Sequence, residues 1–132
     1  MGSVAAVVLM NEQNKLLLYL RDNKPSIDYP DNWALLGGHV EKDETPPEAL
    51  KRELREEIGH ELVNPIFLGC FDDRVGNVCY MYKDKINKKL SEIVLTEGQR
   101  LGYFSLEEVI KIKLPSPLLD FLMENKERIF MV

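Results

Sequence analysis

Three glutamates, Glu53, Glu56 and Glu57, are crowded into one short segment of the chain. If that segment is helical, a rotation of about 100° per residue puts all three on one stripe. Like charges at this spacing destabilise a helix by roughly 0.2–0.5 kcal/mol per pair, and a late position on the helix faces the negative end of its dipole. Such a cluster indicates a compensating cation, and carboxylate oxygens suit Mg²⁺ or Mn²⁺. A solvated acidic face on a surface helix is the alternative explanation.

The flanking residues predict where this helix begins and ends. Thr45 can cap the N-terminus, Pro46 suits the first helical position, and Glu48 completes a capping box. Gly59 follows the last apolar residue and suits a left-handed C-terminal cap. The spacing therefore predicts a helix over residues 46–58. Its apolar stripe is expected to face the core and consists of Pro47, Leu50, Leu54 and Ile58.

The glutamates belong to a longer pattern of fixed spacing. It consists of Gly38, five residues, Glu44, seven residues, Arg52-Glu53-Leu54, one residue, Glu56-Glu57, one residue and Gly59. This pattern resembles the Nudix box, apart from the family's final aliphatic position, where His60 stands. The preceding residues are similar to the family's Trp-x-Leu-Pro-Gly-Gly lead-in, with Leu36 in place of the proline, and read Trp33-Ala34-Leu35-Leu36-Gly37-Gly38.

The resemblance implies a single Nudix hydrolase domain over residues 1–132, with the box at residues 38–59. The expected fold is α+β, an α/β/α sandwich on a mixed β-sheet, with the box helix on one face and the C-terminal helix on the other. The implied activity is metal-dependent hydrolysis. Water would attack phosphorus and cleave the diphosphate linkage of a nucleoside triphosphate or another nucleoside diphosphate derivative.

The resemblance also implies how a metal ion would be bound. Mg²⁺ or Mn²⁺ would be held by the three glutamates and by a backbone carbonyl of the diglycine, at Gly37 or Gly38. The glycines lack side chains, so their backbone can approach a metal or a phosphate closely. An ordinary glycine turn is the alternative. The metal ligands implied for this chain are Glu53, Glu56, Glu57 and Gly37.

Other residues are assigned catalytic roles by the same resemblance. Arg52 would orient Glu53, and Glu44 would support the loop. Family members often carry an acidic residue in a loop over the site, which serves as general base or as a further metal ligand. Glu97, beside Gly98, is the candidate here, with a surface glutamate before a turn as the alternative. The residues expected to act in catalysis are Glu53, Glu56, Arg52 and Glu97.

Three residues are expected to contact the substrate. Arg21 directly follows a strand segment and would bind phosphate, although a solvated strand end explains it equally well. Trp33 could stack on a base, as could the nearby Tyr29, or it could pack in the core. Gly38 would let the backbone approach the phosphates.

Two other functions fit parts of the pattern. A non-catalytic Nudix-like domain that senses or binds a nucleotide would share the fold, but such domains tend to lose box glutamates, which this chain keeps. Isopentenyl diphosphate isomerase also shares the fold and transfers protons on carbon, for which it needs a placed cysteine and glutamate. Cys70 has no evident context for that role. Hydrolysis is therefore the expected activity, and the identity of the nucleotide stays open.

The composition limits the partners of the protein. A net charge of −5 over 132 residues argues against binding polymeric nucleic acid, which requires a basic surface. It does not argue against a small phosphorylated nucleotide. No apolar run approaches the ~20 residues of a membrane span, and the N-terminus lacks a secretion signal. With Cys70 and Cys79 expected to be reduced, we predict a cytoplasmic protein that does not contact membranes. Homodimer formation stays open.

Strands and helices are predicted on both sides of the box from alternating apolar runs and turn residues. A polar loop over residues 22–32 leads to a short strand and then to a loop at the diglycine. The predicted strands cover residues 4–10, 16–20, 33–35, 61–70 with an interruption at Pro65, 78–82, 92–95 and 101–104. A capping box at Ser105 starts a short helix, and Ser116-Pro117 opens the last helix.

Overall fold

The central strand of the sheet is built from the first apolar run of the chain. The computed structural model describes residues 2–130, and β1 spans Gly2–Met10. Its last six residues are all buried, as expected for a strand that is covered on both faces of the sheet. β1 pairs in parallel with Asn77–Lys85 (β6) and antiparallel with Leu16–Leu20 (β2) and Leu36–His39 (β4).

Three further strands complete a mixed, seven-stranded sheet. They are Trp33–Ala34 (β3), Ile66–Asp72 (β5) and Arg100–Phe104 (β7). The main path runs β3-β2-β1-β6-β5, with β4 attached to β1 and β7 attached to β2. The hairpin predicted from the first two apolar runs is therefore confirmed, and so is the mixed sheet.

Helix α1 spans Pro46–Ile58, as the sequence predicts. The Thr45 hydroxyl accepts from the Glu48 N–H, the Glu48 carboxylate accepts from the Thr45 N–H, and Gly59 has a left-handed φ of 62°. The buried residues of the helix are Ala49, Leu50, Leu54, Glu57 and Ile58. The prediction that Pro47 faces the core was wrong, because this residue precedes the first buried position and is exposed.

Helices cover both faces of the sheet, which confirms the α/β/α sandwich. On one face α1 packs against β1 and β4. On the other face lie the C-terminal helices α2 (Leu106–Val109), α3 (Ser116–Glu124) and α4 (Lys126–Phe130). Their buried side chains are Val109, Pro117, Leu118, Phe121, Leu122, Ile129 and Phe130. Within residues 2–130, none of the helices has the length and apolar character that crossing a membrane requires.

The segment that leads into the box, residues 33–39, contributes to two different strand pairs. β3 pairs with β2, with Trp33 opposite Leu20, whereas β4 pairs with β1, with Leu36 opposite Val7. Residues 33–39 therefore cross from one strand to the other. β1 and β2 pair next to their connecting turn, at Met10 and Leu16, and diverge from there. Residues 34, 35 and 37–39 of this segment line a cavity.

Several boundaries differ from the sequence predictions. The diglycine lies in β4 rather than in a loop, because its backbone pairs with β1. The strand predicted for residues 61–70 begins only after Pro65 and continues to Asp72. The predicted strand at residues 92–95 is wrong. Residues 90–92 form a 3₁₀ turn, and Ile93 and Leu95 pack against the α1 side of the core from a loop. The last helix is divided in two at Asn125.

Candidate active site

Gly38 and Glu53 are in direct contact, which brings β4 against the middle of α1. A Cβ atom on Gly38 would lie 2.7 Å from each carboxylate oxygen of Glu53. Gly37 is constrained differently, because its φ is +148° and a Cβ atom there would lie 2.7 Å from the Cα atom of Ala6 in β1. The first glycine therefore lets two strands pair, and the second leaves room for a carboxylate.

Glu57 is buried between α1 and the sheet, with only 2% of its surface exposed. Its Oε1 atom accepts a hydrogen bond of 3.1 Å from the Gly37 N–H, whereas its Oε2 atom is buried with no hydrogen-bond donor among residues 2–130. Burial, together with the nearby carboxylates of Glu97 and Glu53, raises the pKa of Glu57 to about 9. A carboxylate in these surroundings requires either a proton or a cation.

Glu56 lies in a different environment from Glu57, although the two are adjacent in sequence. Its side chain is 61% exposed, and its Oε2 atom is 3.6 Å from Nη1 of Arg52. A rotation of about 100° per residue turns Glu57 toward the sheet and Glu56 toward solvent, with Glu53 between them. The single stripe expected from the sequence is therefore split into three levels of burial.

Arg52 joins the box helix to the turn that precedes it. Its Nε atom donates to Glu44 at 2.8 Å, its Nη1 atom donates to Glu53 at 2.7 Å, and its Nη2 atom donates to the His39 carbonyl at 3.0 Å. Hydrogen bonds from Arg52 and from the Glu41 N–H keep the pKa of Glu44 below its usual range. Arg52 thus holds one oxygen of Glu53 and fixes Glu44 in the turn.

Glu97 approaches these residues from the loop before β7. It lines the same cavity as Glu53 and Gly38, and its charge contributes to the raised pKa of Glu57. The structure therefore brings Glu97, the candidate residue outside the box, close to Glu53 and Glu57.

Arg21 lines the same cavity from the end of β2. Its Nη1 atom donates to the Tyr19 hydroxyl at 3.3 Å, and its Nε atom is buried without a hydrogen-bond partner. Burial raises the pKa of Tyr19 to about 12, which keeps the hydroxyl protonated. No carboxylate among residues 2–130 lies within ion-pair distance of Arg21. The guanidinium group is available to an anionic ligand.

The charged residues occupy one end of a cavity of about 440 Å³. The opposite end is mainly apolar and is lined by Val4, Ala6, Phe71, Cys79, Met81 and Leu118. A polar rim consists of Asp28, Tyr29, His39, Asp73 and Asn77. Except for Tyr29, these residues were missed by the sequence analysis, because strand alternation does not show which buried side chains border a cavity.

Trp33 does not line this cavity. It is 9% exposed, its ring lies edge-on to Phe104 with centroids 4.8 Å apart, and the Arg100 guanidinium is 5.3 Å from the ring centroid. The expectation that Trp33 contacts the substrate is therefore corrected. The Trp33 ring packs in the core against Phe104, with Arg100 over its face. Core packing is the alternative that the sequence left open.

The donor set fits a divalent cation that is only partly bound by protein. Among residues 2–130, no three His, Cys, Asp or Glu side chains already converge on a point where one ion could bind. Glu57, whose Oε2 atom has no donor among these residues, nevertheless lies beside the carboxylates of Glu53 and Glu97, and this crowding of negative charge favours a cation. Mg²⁺ keeps several waters and takes part of its shell from substrate phosphates, so neighbouring carboxylates suffice.

Comparisons with known proteins agree on one family. A sequence profile of the NUDIX domain matches residues 1–123. An RNA pyrophosphohydrolase of a Nitratiruptor species is 33% identical over 125 residues, which cover 95% of this chain and 70% of that protein. The nucleoside triphosphatase NudI of Salmonella arizonae is 39% identical over 61 residues, which cover 46% of this chain and 42% of that protein.

Solved structures share the fold. The crystal structure of a MutT protein from Methanosarcina mazei Go1 aligns with a TM-score of 0.85 at 22% identity, over 96% of this chain and 94% of that one. The solution structure of the E. coli ORF135 protein aligns with a TM-score of 0.73 at 26% identity, over 97% of this chain and 92% of that one.

Proposed function

The chain belongs to the Nudix family and is a Nudix pyrophosphohydrolase, and we propose that it uses a divalent metal ion to cleave the diphosphate linkage of a small nucleotide. The observation that carries this proposal is the buried carboxylate of Glu57. One of its oxygens has no hydrogen-bond donor among residues 2–130, and it lies beside Glu53 and Glu97, which both line the cavity.

The box glutamates are the residues that would hold the ion. Glu53 lines the cavity, Glu57 is buried next to it and accepts from the Gly37 N–H, and Glu56 could join them from the solvent side. The backbone of Gly37, which already contacts Glu57, is a further candidate ligand. Bound Mg²⁺ or Mn²⁺ would neutralise phosphate charge and lower the pKa of a coordinated water.

The remaining side chains would bind the substrate and move a proton. Arg21, whose guanidinium has no acidic partner within the described part of the chain, would pair with a phosphate group. Arg52 would keep Glu53 in one orientation through the 2.7 Å hydrogen bond. Glu97 would accept the proton of the attacking water as general base. The apolar end of the cavity would receive the uncharged part of the nucleotide.

Two substrate classes follow from the cavity and the relatives. A cavity of about 440 Å³ has the size of an ordinary small-molecule site, and together with the acidic composition it favours a mononucleotide. The second candidate is an RNA with a 5′-triphosphate, because the relative that matches 95% of the chain is an RNA pyrophosphohydrolase.

The cysteines do not support the isomerase alternative. Cys70 is exposed on β5 and is not among the residues that line the cavity. Cys79 does line the cavity, but burial raises the pKa of its thiol to about 12, so it is a poor proton donor and a poor base.

The test is phosphate and pyrophosphate release from nucleoside triphosphates, other nucleoside diphosphate derivatives and 5′-triphosphate RNA, with Mg²⁺, with Mn²⁺ and with a chelator. We expect metal-dependent release from one class. Glu53→Gln should lower kcat by about 10²-fold or more without lowering the melting temperature, because charge stabilisation by a bound metal ion is worth several kcal/mol. The exposed control Glu124→Gln should behave as wild type. If nucleotides bind and raise the melting temperature but none is hydrolysed, the protein is a nucleotide sensor instead.

A further inference from the structure

The loop that carries Glu97 is attached to the end of α1 through Thr96. The Thr96 N–H donates to the Glu57 carbonyl at 3.0 Å, and its hydroxyl contacts the carbonyls of Glu56 at 2.9 Å and Glu57 at 3.2 Å. Carbonyls in the last turn of a helix have no intrahelical donor. Thr96 therefore ties the loop to the backbone of two box glutamates.

The other end of the loop is attached to β2 through Gln99. Its N–H donates to the Leu20 carbonyl at 2.8 Å. Its side-chain amide donates to the Arg21 carbonyl at 2.7 Å and to Asp31 at 3.0 Å. The residue that is expected to bind phosphate and the loop that carries Glu97 are thus fixed to each other by one side chain.

Gly98 allows the loop to lie directly on β2. Its φ is +81°, and a Cβ atom would lie 2.8 Å from the Leu20 carbonyl oxygen and 2.6 Å from the Tyr19 ring. Both the conformation and the space therefore require glycine. The same Tyr19 receives the hydrogen bond from Arg21, so the loop rests on the residue that supports the guanidinium.

We propose that residues 96–99 form a bracket between α1 and β2 that holds the Glu97 carboxylate in a fixed position over the site. Thr96 and Gln99 are positioning residues, and they act through Glu97. The inference rests on the proposed function, because Glu97 is the general base in it. A glutamate on a free loop would sample many positions, and a misplacement of about 1 Å can cost about 10²-fold in rate.

The test compares two substitutions of Thr96. Thr96→Val removes the hydroxyl and keeps the shape of the side chain, whereas Thr96→Ser keeps the hydroxyl. We expect Thr96→Val to lower kcat about tenfold or more with little change in KM, and Thr96→Ser to restore most of the rate. Backbone amides of residues 97–99 should exchange hydrogen faster in Thr96→Val and return to the wild-type rate in Thr96→Ser.

A matched control separates positioning from general destabilisation. Thr45→Val removes the hydroxyl that caps the other end of the same helix, and it should lower the melting temperature without lowering kcat. In a Glu97→Gln background, adding Thr96→Val should cause no further loss of kcat, because a residue that acts through Glu97 has nothing left to position. A further, additive loss would contradict the bracket, as would unchanged amide exchange in Thr96→Val.

The two proposals fail in different ways. If the wild-type protein with metal hydrolyses no nucleotide, the proposed function is wrong and the bracket has no reaction to serve. If the wild type hydrolyses a nucleotide but Glu97→Gln keeps the wild-type kcat, the general-base role of Glu97 and the bracket are refuted, whereas metal-dependent hydrolysis stands.

Discussion

Alanine substitutions at the two adjacent glycines of β4 should have opposite consequences. At Gly38 the φ is outside the left-handed region, so alanine is tolerated by the backbone. The added methyl would meet the carboxylate of Glu53, the end of a flexible side chain. At Gly37 the φ is +148°, and the methyl would meet the backbone of β1. One variant should lose activity, and the other should lose stability.

The sizes of both effects follow from the contacts. With a Cβ atom 2.7 Å from its oxygens, the Glu53 carboxylate must withdraw by about 1 Å, which can cost about 10²-fold in kcat. Withdrawal also breaks its 2.7 Å hydrogen bond with Arg52. Gly38→Ala should change the free energy of unfolding by no more than about 1 kcal/mol. Gly37→Ala should cost about 3 kcal/mol or more, because a strained φ is combined with displacement of a paired strand.

Urea unfolding and steady-state hydrolysis with Mg²⁺ would test the pair. We expect Gly38→Ala to unfold near the wild-type midpoint with a hundredfold lower kcat, about 2.7 kcal/mol in activation free energy. Gly37→Ala should unfold at a much lower urea concentration. The reasoning is refuted if Gly38→Ala keeps wild-type activity, since Glu53 would then tolerate displacement. It is also refuted if Gly37→Ala unfolds like the wild type.

Three further predictions concern residues outside the box glutamates. Burial and the Lys88 ammonium lower the pKa of His60. Below about pH 6.5 the unfolded chain therefore binds a proton more readily than the folded protein does. As the pH falls, the free energy of unfolding decreases by up to about 1.4 kcal/mol per pH unit. His60→Leu should remove most of this loss between about pH 7.5 and 5.5 in urea unfolding. The buried side chain of Asp84, 4% exposed, accepts hydrogen bonds from the N–H groups of Val63, Asn64 and Lys85. Asp84→Ala should lower the free energy of unfolding by about 2–4 kcal/mol, measured by thermal unfolding. The variant should still hydrolyse its substrate at low temperature. Tyr29→Phe removes the 2.8 Å hydrogen bond to the Asp73 carbonyl on the cavity rim, and it should raise KM a few-fold with little change in kcat. A change in kcat alone would place Tyr29 at the reacting groups instead.

The parts of the fold that the sequence predicted are those with local signals. The bounds of α1 followed from Thr45, Pro46 and Gly59, because caps act within one turn of the helix. Ile93, Val94 and Leu95 form an apolar run that suits a strand, yet Ile93 and Leu95 pack from a loop and Val94 is exposed. An apolar run indicates which side chains can be buried, not which backbone is paired. The crossing of residues 33–39 between β2 and β1 also left no local signal, because register is a long-range property.

The candidate site divides in the same way. The contact of Arg52 with Glu53 was expected from the resemblance to the Nudix box, since adjacent side chains on a helix do not normally face each other. Trp33 was misplaced because an aromatic residue next to a glycine pair suits a binding loop and a core equally well. The apolar end of the cavity was missed because Phe71 and Leu118 come from β5 and α3, which are distant in sequence and meet only in the folded sandwich.

The three box glutamates show how a helix that we propose to bind a metal ion can fold without one. Glu57 is the costly member, since it is buried with one oxygen unpaired, yet its other oxygen is held by the Gly37 N–H. Glu53 is compensated by Arg52, and Glu56 by solvent. Only one carboxylate is therefore left without compensation, so the repulsion that a uniform stripe would create is reduced. The uncompensated negative charge of Glu57 lies next to the cavity in which a cation and the phosphates would bind together.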